Sequence, residues 1–180
     1  IGDAGLFVDA NGALSVKRAR AFALFCHDHD VRWFEEPVSS DDLPGLRLLR
    51  QTMPAPIEVA AGEYVYHLDD VRRMLEAEAV DVQQADASRC CGISGFLEAA
   101  TLCAAHHIDL SGHCAPSLHL HVACAVPRFR HLEYFHDHVR IESMFFDGAA
   151  VARDGVIAPD PQRPGLGLAP KAADIERYAV

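Results

Sequence analysis

The chain has 180 residues, of which 50% are hydrophobic, and a formal net charge of −10 at pH 7. These values suit one globular domain of ordinary composition, and the acidic balance argues against a basic nucleic-acid-binding surface. No apolar stretch approaches the ~20 residues of a membrane span and no signal peptide opens the chain, so we expect neither a nucleic acid nor a membrane as a partner.

The six cysteines do not follow the pattern of a disulfide framework. Cys26, Cys103 and Cys124 fall within segments that we predict to be helical, and no CxxC pair of the zinc-binding type is present. A reducing, cytoplasmic setting is therefore the expected localisation.

Short apolar segments that end at an acidic residue or a turn alternate with longer amphipathic segments along the chain. The short segments predict buried strands and the longer ones predict helices. The predicted strands cover residues 6–8, 31–34, 57–60, 80–84, 108–111 and 132–134. The predicted helices cover residues 15–29, 43–51, 68–79, 93–105 and 118–125, with an N-cap for the second of them within residues 40–42.

This alternation repeats about every 25 residues and predicts a parallel sheet covered by helices. A TIM-type (β/α) barrel is favoured because the candidate functional residues follow the carboxyl ends of the strands. A doubly wound open sheet is the alternative, but the Gly-rich phosphate loop that usually follows its first strand is not visible. Six units are fewer than eight, so we predict a partial barrel over residues 1–135 and an extended, turn-rich tail over residues 136–180.

Three predicted strands lead into a carboxylate, namely Asp9, Glu35 and Glu63. On neighbouring strands of a barrel these side chains converge at its mouth, where three uncompensated negative charges would repel one another. Mg²⁺ resolves this repulsion because it prefers oxygen ligands and keeps coordination positions open for a substrate. Each acid alone could be a solvated loop residue, but three in register predict a magnesium site.

His113 and Asp86 follow two adjacent predicted strands. An aspartate on a neighbouring strand can hold one imidazole nitrogen and raise the basicity of the ring, which makes His113 a candidate general base. Glu133 follows the last strand, where its carboxyl group could donate a hydrogen bond to a developing oxyanion. The alternatives are a surface histidine and a glutamate in a salt bridge.

Several sequence motifs resemble those of the enolase superfamily. Its three metal-ligand motifs are matched by Asp9–Gly12, Phe34–Pro37 and Gly62–Glu63, and the second match points to Glu35 rather than Glu36. The mandelate racemase subgroup is matched at its sixth, seventh and eighth strands by Asp86–Gly95, Ser111–His113 and His131–Glu133. The resemblance implies that the chain carries units three to eight of the barrel. The N-terminal capping domain and the first two units, with the family's Lys-x-Lys motif, would precede Ile1.

The resemblance further implies a Mg²⁺-dependent enzyme that removes the proton α to the carboxylate of a small-molecule substrate, through an enediolate intermediate. His113, paired with Asp86, would be the base, and Glu133 would support the enediolate. We also expect Asn11, Cys114 and His136 to contact the substrate at the mouth.

Members of the family with a His–Asp pair are mostly acid-sugar dehydratases, with mandelate racemase as the exception. Dehydration of an aldonate or aldarate to a 2-keto-3-deoxy acid is therefore the first hypothesis. A racemase or epimerase of a 2-hydroxy acid is the second, and a truncated, catalytically incomplete fragment that only binds metal is the third. Because the family is commonly oligomeric, we also expect a homo-oligomer.

Overall fold

The computed structural model describes residue 2 and residues 4–179 of the chain. Its main sheet has six strands, each paired in parallel with the next one in sequence. These strands are β1 (Leu6–Asp9), β2 (Val31–Glu35), β3 (Glu58–Ala61), β4 (Val82–Ala85), β5 (Asp109–Gly112) and β6 (Phe129–Leu132). They are followed in turn by helices α1 (Val16–Asp28), α2 (Leu43–Thr52), α3 (Leu68–Glu76), α4 (Gly92–Ala105), α5 (Pro116–Ala123) and α6 (His136–Phe145).

Contacts between distant strands show that the sheet is curled. A flat sheet would hold its first and sixth strands about 24 Å apart, at about 4.8 Å per strand. Instead, the rings of Phe7 in β1 and His131 in β6 have centroids 5.4 Å apart. Arg130 in β6 also reaches Glu58 in β3 through two hydrogen bonds of 2.8 and 2.6 Å. The fold is therefore the partial TIM-type barrel that the sequence predicts, with helices on its outer face.

The helices begin and pack as their sequences indicate. Ser15 caps α1 by accepting a hydrogen bond from the Arg18 N–H, and Asp42 caps α2 by accepting one from the Gly45 N–H at 2.9 Å. Two buried apolar clusters lie between sheet and helices, one around Phe34 and the other around Phe96. This packing on the outer face fixes the strand ends at which the candidate residues lie.

The sixth strand and the tail differ from their predictions. β6 ends at Leu132, which pairs with Gly112, so Glu133 lies in the following loop and not within a strand. The segment predicted to be extended after residue 135 begins with α6, in which no residue is fully buried. Polar contacts with the start of α5 hold it, including the bond from Ser117 Oγ to Glu142 at 2.6 Å.

Beyond α6 the tail forms a small antiparallel pair, β7 (Phe146–Asp147) and β8 (Ala169–Pro170), and a short helix α7 (Ala172–Glu176). The boundary between barrel and tail at residue 135 stays a prediction. All six cysteines are free thiols. Across the described residues, no helix combines the length and apolar character that a bilayer crossing requires.

Gly62 connects β3 to Glu63 with a φ of +136°, and a Cβ there would overlap the Gln84 carbonyl oxygen. We expect Gly62→Ala to lower the free energy of unfolding by about 2–4 kcal/mol, from backbone strain plus overpacking, as measured by urea denaturation. Gly155→Ala is the matched control, because Gly155 has a φ of +76° but open space around it, and about 1 kcal/mol is expected there. Equal losses in the two variants would show that the contact with Gln84 is unimportant.

Candidate active site

The predicted metal ligands lie at one edge of the sheet, because parallel strands end at the same edge. Asp9 and Glu35 are register partners at the ends of β1 and β2, and Glu63 follows β3. Asp9 accepts hydrogen bonds from the Asn11 N–H at 2.7 Å and from Asn11 Nδ2 at 3.0 Å. Glu35 is buried and accepts a bond from Trp33 Nε1 at 2.9 Å. The folded chain thus delivers three carboxylates to one rim.

Glu36 is a fourth acid at this rim, and the sequence reasoning passed over it. Burial, and after it the charges of Glu63, Asp9 and Glu35, raise the pKa of Glu36 to about 8. Strand alternation would send Glu36 to the opposite face from Glu35, but β2 ends at Glu35 and Glu36 has a φ of +37°. The adjacent Pro37 and the doubled glutamate were the available signals for this turn.

This donor set fits a hard divalent cation. Glu36 Oε1 is buried without a hydrogen-bond partner, and the surrounding groups offer carboxylate oxygens, which Mg²⁺ prefers. The oxygens of Asp9, Glu35 and Glu63 are not gathered as tightly as a bound ion requires. Among the described residues, the group whose ligand atoms all lie within 4.8 Å is His113, Cys114 and Glu133. Glu63 is instead held by His113 Nε2 at 3.2 Å and by Arg89.

His113 and Asp86 form the predicted pair. His113 Nδ1 lies 2.9 Å from Asp86 Oδ2, and both residues are buried. Asp86 Oδ1 accepts bonds of 2.7 Å from both the N–H and the hydroxyl of Ser88. Burial alone would raise the pKa of Asp86, but the hydrogen bonds from His113 and Ser88 lower it to about 2. The ionised aspartate therefore holds a proton on Nδ1, so that loss of the other ring proton would leave Nε2 as the basic nitrogen.

The Nε2 atom of His113 faces the rest of the site. It lies 3.2 Å from Glu63 Oε2, 3.3 Å from Cys114 Sγ and 3.9 Å from Glu133 Oε2. Burial would lower the pKa of His113, but its hydrogen bonds to Asp86, Cys114 and Glu63 raise it to about 12. If Glu63 bound a cation instead of His113, the ring would lose one of these bonds and its neutral form would become easier to reach.

Glu133 lies across the mouth from the carboxylate rim. Its Oε2 accepts a bond from the Cys114 N–H at 3.0 Å and lies 3.2 Å from Cys114 Sγ. It shares a cavity of about 390 Å³ with Asp9, Glu35 and Gln84. A small carboxylate substrate in this cavity would contact the rim on one side and Glu133 on the other.

The three predicted substrate contacts have different surroundings. Asn11 lies at the rim and accepts a bond from the Tyr64 hydroxyl at 3.4 Å, and Cys114 touches both His113 and Glu133. His136 begins α6 with 89% of its side chain exposed and contacts Asp137. His138 lies closer, accepting the Ala115 N–H at 3.2 Å if its Nδ1 is unprotonated. All three substrate roles stay predictions, with His136 the least supported by position.

His119 is a further buried residue beside the His113–Asp86 pair. Its Nε2 accepts a bond from the Ala87 N–H at 2.8 Å and lies 3.5 Å from Asp86 Oδ1. Burial lowers the pKa of His119, so the ring is neutral. It positions the loop that carries Asp86, which agrees with a structural role.

The low pKa of Asp86 predicts a pH-dependent contribution to stability. Because the folded-state pKa of about 2 lies below the ordinary value of 3.8, the contribution is present above pH 4 and lost as the pH falls through 2. We expect the wild type to lose about 2 kcal/mol relative to Asp86→Asn between pH 5 and pH 2, as measured by urea unfolding. Parallel stability curves for the two proteins would contradict this expectation.

Residues 1–175 match the family described as Enolase C-terminal domain-like. The chain belongs to this family. Its relatives include the L-talarate/galactarate dehydratase of Salmonella typhimurium, which is 33% identical over 72% of this chain and 32% of the relative. Other curated relatives are likewise named as acid-sugar dehydratases. The resemblance inferred from the motifs is thereby confirmed.

Solved enolase-superfamily structures share the fold. A mandelate racemase/muconate lactonizing enzyme-like protein from Rubrobacter xylanophilus has a TM-score of 0.94 and 45% identity, covering 98% of this chain and 49% of that protein. A racemase from Streptomyces coelicolor A3(2) with bound magnesium has a TM-score of 0.89 and 26% identity, covering 99% and 47%. This chain therefore spans a third to a half of the length of these relatives.

Proposed function

We propose that this enolase-family chain carries the metal and base residues of an enzyme that removes the proton α to a carboxylate, and that its reaction is dehydration of an acid sugar. The observation that supports this most strongly is the buried His113–Asp86 pair. Its Nε2 faces the carboxylate rim, where it contacts Glu63 at 3.2 Å, and lies 3.9 Å from Glu133. The dehydratase names of the curated relatives support the substrate class.

The rim would hold the cofactor. We assign Asp9, Glu35 and Glu63 as ligands of Mg²⁺, with Glu36 beside them. The bound ion supplies positive charge for the substrate carboxylate and for the negative charge that develops on it. The weak acidity of an α proton makes this charge important, since a barrier reduction of ~10 kcal/mol or more is needed.

Residues of this chain carry out the proton transfers. Asp86 holds the Nδ1–H, so His113 Nε2 takes the α proton as the C–H bond breaks. Glu133, held by the Cys114 N–H, stands where its carboxyl group can donate to the oxyanion. The protonated Nε2 then gives its proton to the β-hydroxyl, which leaves as water, and the resulting enol tautomerises to the 2-keto-3-deoxy acid.

One base suffices for this dehydration, whereas a racemase needs a base on each face of the α carbon. The lysines of the chain are Lys17 and Lys171. Lys17 lies in α1, and Lys171 binds the Ser143 carbonyl far along the tail. Neither lysine belongs to the site described above, and the chain covers less than half of these solved relatives, so the preference for a dehydratase rests on the names of the curated relatives.

A racemase or epimerase of a 2-hydroxy acid is the second candidate, favoured by the similarity to the S. coelicolor racemase. A second base would then have to come from outside the described residues. A homo-oligomer remains our expectation for the assembly.

The test is to incubate the full-length protein with Mg²⁺ and a panel of aldonates and aldarates, and to assay for 2-keto-3-deoxy acids. We expect a keto acid from one or a few substrates, formed at a rate about 10³–10⁴-fold lower with His113→Asn. Epimerisation of a 2-hydroxy acid without keto acid formation would support the racemase instead. Neither keto acid nor epimer from any substrate would overturn the proposed chemistry.

A further inference from the structure

Three different ligand atoms meet on the side of His113 that faces away from Asp86. The distances are 3.3 Å from His113 Nε2 to Cys114 Sγ, 3.2 Å from Sγ to Glu133 Oε2, and 3.9 Å from Nε2 to Oε2. In a tetrahedral zinc site, bond lengths of ~2.0–2.3 Å separate neighbouring ligand atoms by roughly 3.3–3.6 Å. Two of the three separations lie close to this range and the third, from Nε2 to Oε2, is longer, so small side-chain movements would place the three atoms on one face of such a tetrahedron.

The surroundings of the trio also suit a borderline-soft cation. Asp86 holds Nδ1 of His113, and this carboxylate–histidine arrangement is the one that orients imidazole ligands of zinc. His113 and Cys114 are buried, while the Glu133 side chain is 35% exposed and lines the cavity at the mouth. The cavity reaches the trio at Gly112 and Glu133, and an ion would enter from that side.

We propose that His113, Cys114 and Glu133 form a second metal site, which selects Zn²⁺ over Mg²⁺ and whose occupation blocks the enzyme. Sulfur and imidazole ligands select zinc, whereas the carboxylate rim selects magnesium. Cys114 gives its proton to solvent when its sulfur binds the ion, and the lone pair of Nε2 is then no longer available. The inhibition rests on the proposed function, because it requires His113 to be the base, but the binding does not.

The test uses the full-length protein kept saturated with Mg²⁺ and titrated with Co²⁺, a spectroscopic substitute for Zn²⁺. We expect one equivalent of Co²⁺ to produce thiolate-to-cobalt charge-transfer absorption, which Zn²⁺ then abolishes by displacement. In Cys114→Ser the absorption should disappear, and Zn²⁺ affinity by calorimetry should fall at least about 100-fold. Cys124→Ser, which changes an exposed thiol at the end of α5, should keep both.

A second variant, Glu133→Gln, tests the site in case Cys114→Ser does not fold. Glu133→Gln should bind Zn²⁺ more weakly but keep the charge-transfer absorption, because the sulfur remains. Absorption that is absent from the wild type, persists in Cys114→Ser or is lost in Cys124→Ser would overturn the proposal. Charge-transfer absorption in a protein that turns over no acid sugar would support the zinc site and count against the proposed function. Turnover of an acid sugar without this absorption would support the proposed function and count against the zinc site.

Discussion

Replacing His113 by asparagine is expected to lower kcat for keto acid formation by about 10³–10⁴-fold, the usual contribution of a positioned general base. Asparagine keeps a polar group near Asp86 but offers no basic nitrogen at the position of Nε2. Mg²⁺ should still bind, because the three expected carboxylate ligands are unchanged, although Glu63 loses its contact with His113 Nε2.

The matched control is His106→Asn, since His106 is an exposed histidine at the end of α4. We expect its kcat to equal that of the wild type. A His113→Asn protein that is folded, binds Mg²⁺ and retains more than a tenth of wild-type kcat would show that another group removes the proton.

Replacing Glu35 by glutamine is expected to weaken Mg²⁺ binding at least about 100-fold and to abolish turnover at ordinary Mg²⁺ concentrations, because a charged ligand is lost. Glutamine retains an oxygen that can accept the bond from Trp33 Nε1, so the strand end should keep its structure. Mg²⁺ affinity by calorimetry and kcat over a range of Mg²⁺ concentrations measure the effect.

Two further variants sharpen this prediction. Glu98→Gln removes an exposed carboxylate of α4 and should bind Mg²⁺ like the wild type. Glu36→Gln should cost less affinity than Glu35→Gln, because the family motif assigns the ligand role to Glu35. A larger loss of Mg²⁺ affinity in Glu36→Gln than in Glu35→Gln would show that Glu36, and not Glu35, is the ligand. The buried Oε1 of Glu36, which has no hydrogen-bond partner, would be consistent with that result.

The pairing of His113 with Asp86 was predictable from the sequence because two facts of parallel sheets determine it. Consecutive strands are neighbours, and their carboxyl ends meet at one edge. Residues that follow β4 and β5 must therefore lie side by side. In the structure, His113 Nδ1 lies 2.9 Å from Asp86 Oδ2. The strand-end acids Asp9 and Glu35 follow the same logic.

Features that depend on a local turn or on weak patterns were not predictable. Glu36 joins the rim only because its backbone leaves the strand conformation, which the alternation of a strand does not reveal. Helix α6 was also missed; none of its residues is fully buried, and polar contacts with α5 help to hold it. The contact of Cys114 with Glu133 likewise depends on the loop after β5, where Cys114 has a φ of +47°.

The most direct measurement is a crystal structure of the full-length protein with a substrate acid and Mn²⁺, which replaces Mg²⁺ and can be located by anomalous scattering. We expect the anomalous peak between Asp9, Glu35 and Glu63, the substrate carboxylate on the ion, and His113 Nε2 within about 3–3.5 Å of the α carbon. A peak away from these three carboxylates, or a substrate whose α carbon lies out of reach of His113, would contradict the assignment of a metal-assisted proton abstraction to this site.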